Sequence, residues 1–259
     1  MRKTLLAAAL AAMSSVAMAD VAIFTVDPAA VGSAEAPFDA NLINGTSSSS
    51  FQVTNPTTLT GQAWANFTSF ALNSIDIPPG TTGLGVDYSL FAVVTATTTL
   101  TSGTIGQDGS TYDLTTFNYT IYADPGFGSV FTASNAGTMT QAGVVLDADV
   151  LTIGTGSLLT GVNGFNAGGG HFLNVLTNFA LVDPDGPLFF IDPDPFYSLQ
   201  FSQFNNTGQG VERNGEFIAI NQSAGGIDFL QVPEPSGLAL IGVGLVGLAG
   251  VGRRKFNWV

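Results

Sequence analysis

The sequence predicts an all-β protein whose body is an antiparallel β-sandwich with jelly-roll-like connections. Three observations support this: apolar and polar residues alternate with a period of two, turn residues separate the alternating runs, and no amphipathic helix of useful length interrupts them. A strand with this alternation covers a core with its apolar face and exposes its polar face to water. A β-helix is the competing interpretation, but no repeat of fixed period is present. A signal helix is predicted before the body, and a transmembrane helix after it.

Residues 1–19 are predicted to be a secretion signal. Arg2 and Lys3 precede an apolar, alanine-rich run, and Ala17-Met18-Ala19 has the small-x-small pattern that signal peptidase cleaves. Cleavage before Asp20 would release the rest of the chain on the outer side of the inner membrane. Signal peptidase is therefore the first expected partner.

The body, residues 20–231, is acidic and poor in groups for catalysis. The whole chain has 19 acidic residues, 6 basic residues, one histidine and no cysteine, which gives a formal net charge of -13. Arg213 is the single base of the body, because the other cations lie near the two termini. Nucleic acid is excluded as a partner because phosphate binding needs clustered Lys and Arg. The absence of cysteine excludes thiolate metal sites.

The alternation assigns a face to the residues of each predicted strand. In three runs the predicted core-facing residues are Phe117, Tyr119 and Ile121; Leu173, Val175, Phe179 and Leu181; and Tyr197, Leu199 and Phe201. In the third run Ser198, Gln200 and Ser202 are predicted to face solvent. Further strands are predicted at 22–26, 50–53, 62–72, 88–101, 144–153, 188–191, 216–220 and 227–231.

A glycine-rich stretch at 154–170 breaks the alternation and is predicted to be a flexible surface connection. It lacks the lysine and the following helix of a phosphate-binding loop. His171 follows three glycines and precedes an apolar run, so we expect its ring at a loop edge, exposed or capping a turn. A Ser/His/Asp triad is not indicated, since no Gly-x-Ser-x-Gly motif accompanies this histidine.

Two Asp-x-Asp pairs are the candidate metal ligands. Asp183-Pro184-Asp185 and Asp192-Pro193-Asp194 flank a strand-like segment, so a turn between them would bring four carboxylates together. Ca²⁺ prefers such oxygen ligands. The competing interpretation is that each aspartate begins a proline turn, as these residue types favour. No other cofactor is expected.

The C-terminus has three parts in a fixed order. Val232-Pro233-Glu234-Pro235 comes first, an apolar stretch at about 236–252 follows, and Arg253-Arg254-Lys255 comes next. The apolar stretch is just long enough to cross a bilayer core of about 30 Å as a helix. The three cations place the C-terminus in the cytoplasm by the positive-inside rule. The inner membrane is thus a transient partner.

This order resembles the PEP-CTERM sorting signal of Gram-negative bacteria, here at residues 232–255. The resemblance implies that an exosortase, a membrane-embedded cysteine transpeptidase-like enzyme, recognises Pro233-Glu234-Pro235. Segments of the body resemble the flocculation-associated PEP-CTERM proteins, which are secreted and needed for cells to aggregate in an exopolysaccharide matrix. These segments are 24–28, 41–45, 173–179, 195–197 and 226–229.

Together these features predict an exported, exosortase-processed protein of the cell surface or extracellular matrix. It is expected to be non-enzymatic and to support flocculation, with extracellular polysaccharide as its partner. The first alternative is a lectin-like carbohydrate-binding module, with or without Ca²⁺, in which aromatic residues such as Trp64 stack on sugars. The second is a secreted glycan hydrolase with paired carboxylates.

Overall fold

The computed structural model describes residues 22–206 and 210–230. This part of the chain is all-β and antiparallel, as the alternation predicts, and the predicted signal and transmembrane helices lie outside it. Its strands are β1 (Phe24–Val26), β2 (Phe38–Ala40), β3 (Leu42–Asn55), β4 (Thr58–Leu72), β5 (Ile75–Asp76), β6 (Ser89–Ser102), β7 (Thr111–Asp124), β8 (Val130–Thr132), β9 (Gly143–Val145), β10 (Leu151–Phe165), β11 (His171–Asn178), β12 (Ala180–Leu181), β13 (Phe190–Asp192), β14 (Leu199–Asn205), β15 (Val211–Asn214) and β16 (Phe217–Leu230). Its helical segments are a 3₁₀ turn (Pro28–Val31), α1 (Pro79–Thr82) and α2 (Asp185–Phe189).

Eight long strands form one closed, barrel-like sheet. Its order is β3-β4-β6-β7-β10-β11-β14-β16, and β16 returns to pair with β3. Each of these strands pairs with the next long strand along the chain, so the connections are up-and-down. The predicted sandwich with jelly-roll-like connections is therefore replaced by a single sheet around one interior. Twist accumulates along long strands, and closure leaves the sheet without an exposed edge.

The predicted strand at 50–53 is only part of β3, and the two predicted strands at 216–220 and 227–231 both correspond to β16. Two other predicted strands differ in their limits from those observed. The predicted strand at 144–153 is divided, because β9 ends at Val145 and β10 begins at Leu151. The predicted strand at 188–191 begins inside the short helix α2 and continues into β13. Both differences arise where a proline or aspartate turn lies close to an apolar run.

The glycine-rich stretch is a strand for most of its length, and not a flexible connection. Residues 154–165 belong to β10, which pairs with β7 on one side and β11 on the other. A Cβ on Gly164 would lie 2.6 Å from the carbonyl oxygen of Ser110, and one on Gly161 would lie 3.0 Å from that of Asn174. Glycine is needed here because neighbouring backbone approaches too closely for a side chain.

The predicted faces hold for two runs and for the start of the third, where Tyr197 packs against the core and Ser198 is exposed. They are inverted over residues 199–202. Phe117, Tyr119 and Ile121 of β7 are buried, and Val175 and Phe179 are buried at β11. In β14, however, Gln200 is 1% exposed and Ser202 is 6% exposed. Leu199 and Phe201 lie on the outer face and are half-buried.

Polar residues occupy the middle of the interior, which explains the inversion in β14. Phe204 shares a face with Gln200 and Ser202 and is buried with them. Outside, Phe201 pairs across the strands with Leu176 of β11. The alternation was therefore correct about which residues share a face, and wrong about which face is inside.

A cluster of phenylalanines closes one end of the sheet. The small sheet β13-β1-β2 supplies Phe24 and Phe190, which pack against residues from the ends of the long strands. The ring centroids of Phe24 and Phe229 lie 5.1 Å apart, and those of Phe179 and Phe229 lie 4.9 Å apart. Phe190 also packs against Phe196, at 5.0 Å. The Phe24–Phe229 contact is edge-to-face and the other two are tilted, and aromatic contacts of these kinds add to the stabilisation from burying apolar area.

The single base of the body closes the opposite end. Arg213 of β15 donates a hydrogen bond from Nε to the carbonyl oxygen of Gly106 at 2.6 Å. Its Nη2 lies 2.6 Å from Oδ1 of Asp108. The guanidinium carbon lies 5.0 Å from the centre of the Phe165 ring. Arg213 therefore fastens the loop between β6 and β7 over the end of the interior.

The hairpin of β8 and β9 covers part of the outer surface. Trp64 of β4 donates its indole N–H to the carbonyl oxygen of Thr132 at 2.8 Å and packs against Phe131 at 5.2 Å. The backbone N–H of Ala142 donates to Oγ of Ser50 at 3.1 Å. Trp64 thus contacts the hairpin and does not form an open platform for a sugar.

Two glycines of the same stretch should respond differently to alanine. Gly164→Ala places a methyl group against the Ser110 carbonyl and the Phe172 ring, so the free energy of unfolding should fall by about 1–3 kcal/mol. Gly168→Ala meets no atom within 4 Å, so it should change stability by less than about 1 kcal/mol. Urea unfolding midpoints compare the two variants. Equal small shifts would contradict the assignment of this stretch to β10.

Candidate functional site

The residues predicted for processing and orientation lie outside the described part of the chain. They are Ala17, Ala19, Asp20, Val232, Pro233, Glu234, Pro235, Arg253, Arg254 and Lys255. The last described strand, β16, ends at Leu230, directly before the predicted signal. Within 22–206 and 210–230, no helix has the length and apolar character needed to cross a membrane. The predicted span at 236–252 lies beyond these residues.

The structure does not bring the four predicted metal ligands together. Asp185 begins α2, whereas Asp192 ends β13 and lies opposite Thr25 of β1. No three of Asp183, Asp185, Asp192 and Asp194 meet, since only a different group among the described residues has three ligand atoms within 4.8 Å of one another. The segment between the two pairs is held by a helical turn and by β1, and it does not fold back on itself.

That different group consists of Asp124, Asp147 and Asp149. Asp124 is buried at the end of β7 and accepts hydrogen bonds from the backbone N–H groups of Gly126 at 3.0 Å and Ser129 at 2.8 Å. Asp147 and Asp149 are exposed in the connection between β9 and β10. Their oxygen atoms are the ligand type that Ca²⁺ prefers.

The surroundings shift the acidity of two of these carboxyl groups in opposite directions. Burial alone would raise the pKa of Asp124, but hydrogen bonds from Ser129, Gly126 and Gly128 lower it below its usual value. Partial desolvation and the negative charge of Asp147 raise the pKa of Asp149. Asp147-Ala148-Asp149 is itself an Asp-x-Asp pair, so the sequence contained this signal. Its convergence with Asp124 depends on the hairpin and could not be deduced from spacing.

A surface cleft of about 390 Å³ adjoins the loop that follows Asp124. Asn66, Thr68 and Ser89 contribute polar groups to it, and Phe127 and Phe131 contribute rings. Phe127 is 46% exposed and has a φ of 54°, which is uncommon for a residue with a bulky side chain. The cleft therefore presents an exposed aromatic ring beside hydrogen-bonding groups.

A second space of about 70 Å³ lies inside the closed sheet. Small residues on β4 and β6 make up one wall, and hydroxyl and amide groups face it from the other strands. The small residues are Gly61, Ala63, Ala65, Ala92 and Ala96. The polar residues include Ser47, Ser49, Gln200, Ser202 and Ser223. None of the described residues that line this cavity is an aspartate, glutamate, lysine or arginine.

Tyr119 and Gln200 form the centre of a buried polar network next to the cavity. The Tyr119 hydroxyl donates to Oε1 of Gln200, and Nε2 of Gln200 donates to Oγ of Ser202 at 2.8 Å. The Tyr119 oxygen also lies 3.2 Å from Oγ1 of Thr177. Burial raises the pKa of Tyr119 far above its usual value, so the hydroxyl keeps its proton.

His171 is buried in the cavity wall, which corrects the prediction of an exposed ring at a loop edge. It begins β11, is 4% exposed, and lines the interior. Its ring centroid lies 5.6 Å from that of Phe165 and 6.2 Å from that of Phe51. Neither Nδ1 nor Nε2 has a hydrogen-bond partner in the described part of the chain. Burial lowers the pKa of His171 to about 4, so the ring is neutral near pH 7.

The tail matches a known family. Residues 231–255 match the PEP-CTERM protein-sorting motif. The chain carries a PEP-CTERM sorting motif at its C-terminal end. The PEP-CTERM signal implies recognition by an exosortase, export, and a transient membrane-anchored stage before delivery to the cell surface. No curated protein and no solved structure matches the chain.

Two glutamines on β14 allow a matched test of the inverted faces. Gln200→Ala removes the partner of the Tyr119 hydroxyl inside the sheet, so the free energy of unfolding should fall by about 1–3 kcal/mol. Gln203 is exposed on the other face of the strand, so Gln203→Ala should stay within about 0.5 kcal/mol of wild type. Urea unfolding measures both. A larger loss for Gln203→Ala would contradict the observed orientation of β14.

The buried His171 should make stability depend on pH. The ring has an ordinary pKa of 6.5 in the unfolded chain and about 4 in the folded protein. Between these values the unfolded chain binds the extra proton, so stability should fall as the pH drops from 6.5 towards 4. The full effect is about 3 kcal/mol, and above pH 6.5 this group adds no pH dependence.

Urea unfolding of wild type and His171→Phe between pH 4 and 7.5 tests this expectation. Phenylalanine suits a site between two phenylalanine rings and removes only the titrating group. The difference in unfolding free energy between the two proteins should change with pH in the stated interval. A constant difference would show that His171 does not have a lowered pKa in the folded state.

Proposed function

We propose that this exported PEP-CTERM protein acts at the cell surface or in the extracellular matrix. There it supports cell aggregation within exopolysaccharide and has no catalytic role. The PEP-CTERM signal at 231–255, joined to an acidic body that the sequence predicts to be exported, is the observation that supports this proposal best. The composition supports the non-enzymatic part of the proposal, since one histidine and no cysteine leave few nucleophile–base combinations.

The outer surface offers uncharged hydrogen-bonding groups that suit a polysaccharide. Two rows of hydroxyl and amide side chains cross the outer faces of β4, β6, β7 and β10. They consist of Thr60, Thr97 and Thr116, and of Thr95, Asn118 and Ser157. An acidic protein repels acidic polymers at low salt, so neutral rows of this kind favour contact with the hydroxyl groups of neutral sugars.

A lectin-like module is the second candidate, and the surface cleft favours it. Phe127 exposes its ring beside Asn66 and Thr68, and aromatic faces with nearby polar groups suit the two sides of a sugar ring. Phe127 is on the same loop as Asp124, whose carboxylate lies near Asp147 and Asp149. Dependence of sugar binding on Ca²⁺ is therefore one arm of the test of this candidate.

Deletion of the gene and complementation with variants tests the main proposal. Cells without the protein should settle more slowly, and the wild-type gene should restore settling. Glu234→Ala should fail to restore it and should accumulate as unprocessed protein in the inner membrane, because the recognition segment is altered. Glu216→Ala, an exposed acid outside the signal, should behave as wild type.

Two results would contradict the proposal at different points. Normal settling of the deletion strain would exclude a role in aggregation. Equal processing of the Glu234→Ala and wild-type proteins would exclude recognition through that glutamate.

For the second candidate, the purified exported protein is mixed with the cell's own polysaccharide with and without a chelator. Phe127→Ala should then abolish binding, and Val130→Ala, an exposed residue of β8, should not.

A further inference from the structure

The space inside the closed sheet arises because small residues meet on adjacent strands. Ala65 of β4 pairs directly with Ala92 of β6, and Ala63 and Ala96 line the same wall. Larger side chains at these positions would fill an interior that protein cores normally pack without gaps. The cavity is therefore determined by the choice of residues on two strands, while the phenylalanine cluster closes one end of the interior and the loop fastened by Arg213 closes the other.

His171 provides evidence that the cavity holds a ligand and is not only a gap in the packing. Its ring is buried, lines the cavity, and has no hydrogen-bond partner on either nitrogen in the described part of the chain. Buried polar groups in folded proteins nearly always have a partner. A neutral imidazole has one N–H donor and one acceptor nitrogen, so a hydroxyl group is able to satisfy either.

The lining also limits the charge of an occupant. None of the described lining residues is charged, and the hydroxyl and amide groups of Ser202, Ser223 and Gln200 are neutral. A buried ion without an opposite charge is strongly disfavoured. The alanine wall suits the carbon part of a ligand.

The volume of the cavity limits the size of an occupant. The cavity measures about 70 Å³, whereas an engineered apolar cavity that accepts benzene measures about 150 Å³. An occupant of a few non-hydrogen atoms fits this space without rearrangement of the sheet.

We propose that the interior of the closed sheet is a binding site for one small, uncharged hydroxyl compound of the size of a short alcohol. Its hydroxyl group hydrogen-bonds to His171, and its carbon atoms contact the wall formed by Ala65 and Ala92. This site is independent of polysaccharide binding on the outer surface and of the sorting signal.

Nuclear magnetic resonance of the single histidine tests the site directly. The exported protein is purified without a histidine tag and labelled with ¹⁵N-histidine, so that every ring signal comes from His171. It is titrated with 2-propanol, acetone and acetate, which have the same number of non-hydrogen atoms. We expect saturable shifts of the ring signals with 2-propanol, weaker binding of acetone, which cannot donate a hydrogen bond, and no effect of acetate.

A variant that fills the cavity provides the control. Ala92→Val should weaken 2-propanol binding at least tenfold, while Thr101→Val, at an exposed position of the same strand, should leave it unchanged. Ala65→Val adds the same bulk to the cavity from the neighbouring strand β4, and it is used if the Ala92→Val protein does not fold. Unchanged ring signals would mean that water alone occupies the cavity. A non-saturating drift that is equal in wild type and the filled variant would mean a solvent effect. Either result would overturn the proposal.

Discussion

The hydrogen-bond ladder between β16 and β3 is the interaction on which the rest of the structure depends. It joins the last long strand to the first, with Phe217 opposite Gln52 near one end and Ile227 opposite Ile43 near the other. Without it the sheet would have two open edges and no interior. The phenylalanine cluster, the Arg213 contacts and the internal cavity all require a closed wall between them.

A bulge in β16 shows how this ladder also determines what faces inward. The register with β3 shifts between Ile220 and Ser223, where Gln222 has a φ of 59°. Before the shift Ile220 is among the buried core residues, and after it Ser223 lines the cavity. Asn221 faces the other way and accepts a hydrogen bond from Oγ of Ser48 at 2.6 Å. Asn221 also donates from Nδ2 to the carbonyl oxygen of Ser134, between β8 and β9, at 2.9 Å. One extra residue thus places a serine at the cavity and ties the outer hairpin region to the sheet.

The alternation in the sequence predicted the all-β class and the faces of β7 and β11, because their inward residues are mainly apolar. It failed for β14, where Gln200 and Ser202 face a polar cavity that only closure creates. The glycines of β10 indicated a loop by composition, yet Gly164 is required by the approach of Ser110 from a distant part of the chain. Closure itself, and the meeting of Asp124 with Asp147, depend on contacts between distant segments, which local patterns do not encode.

The position of β16 next to the sorting signal has a mechanical consequence. Its last described residue, Leu230, is followed at once by the segment that matches the motif at 231–255. A pull from the C-terminal side that is directed along β16 acts across the direction of its hydrogen bonds to β3 and β14. Such a load shears many bonds together and does not open them one at a time. While the tail holds the protein at the membrane, a tensile force on the cell surface would meet the body at a strand that is hydrogen-bonded on both sides.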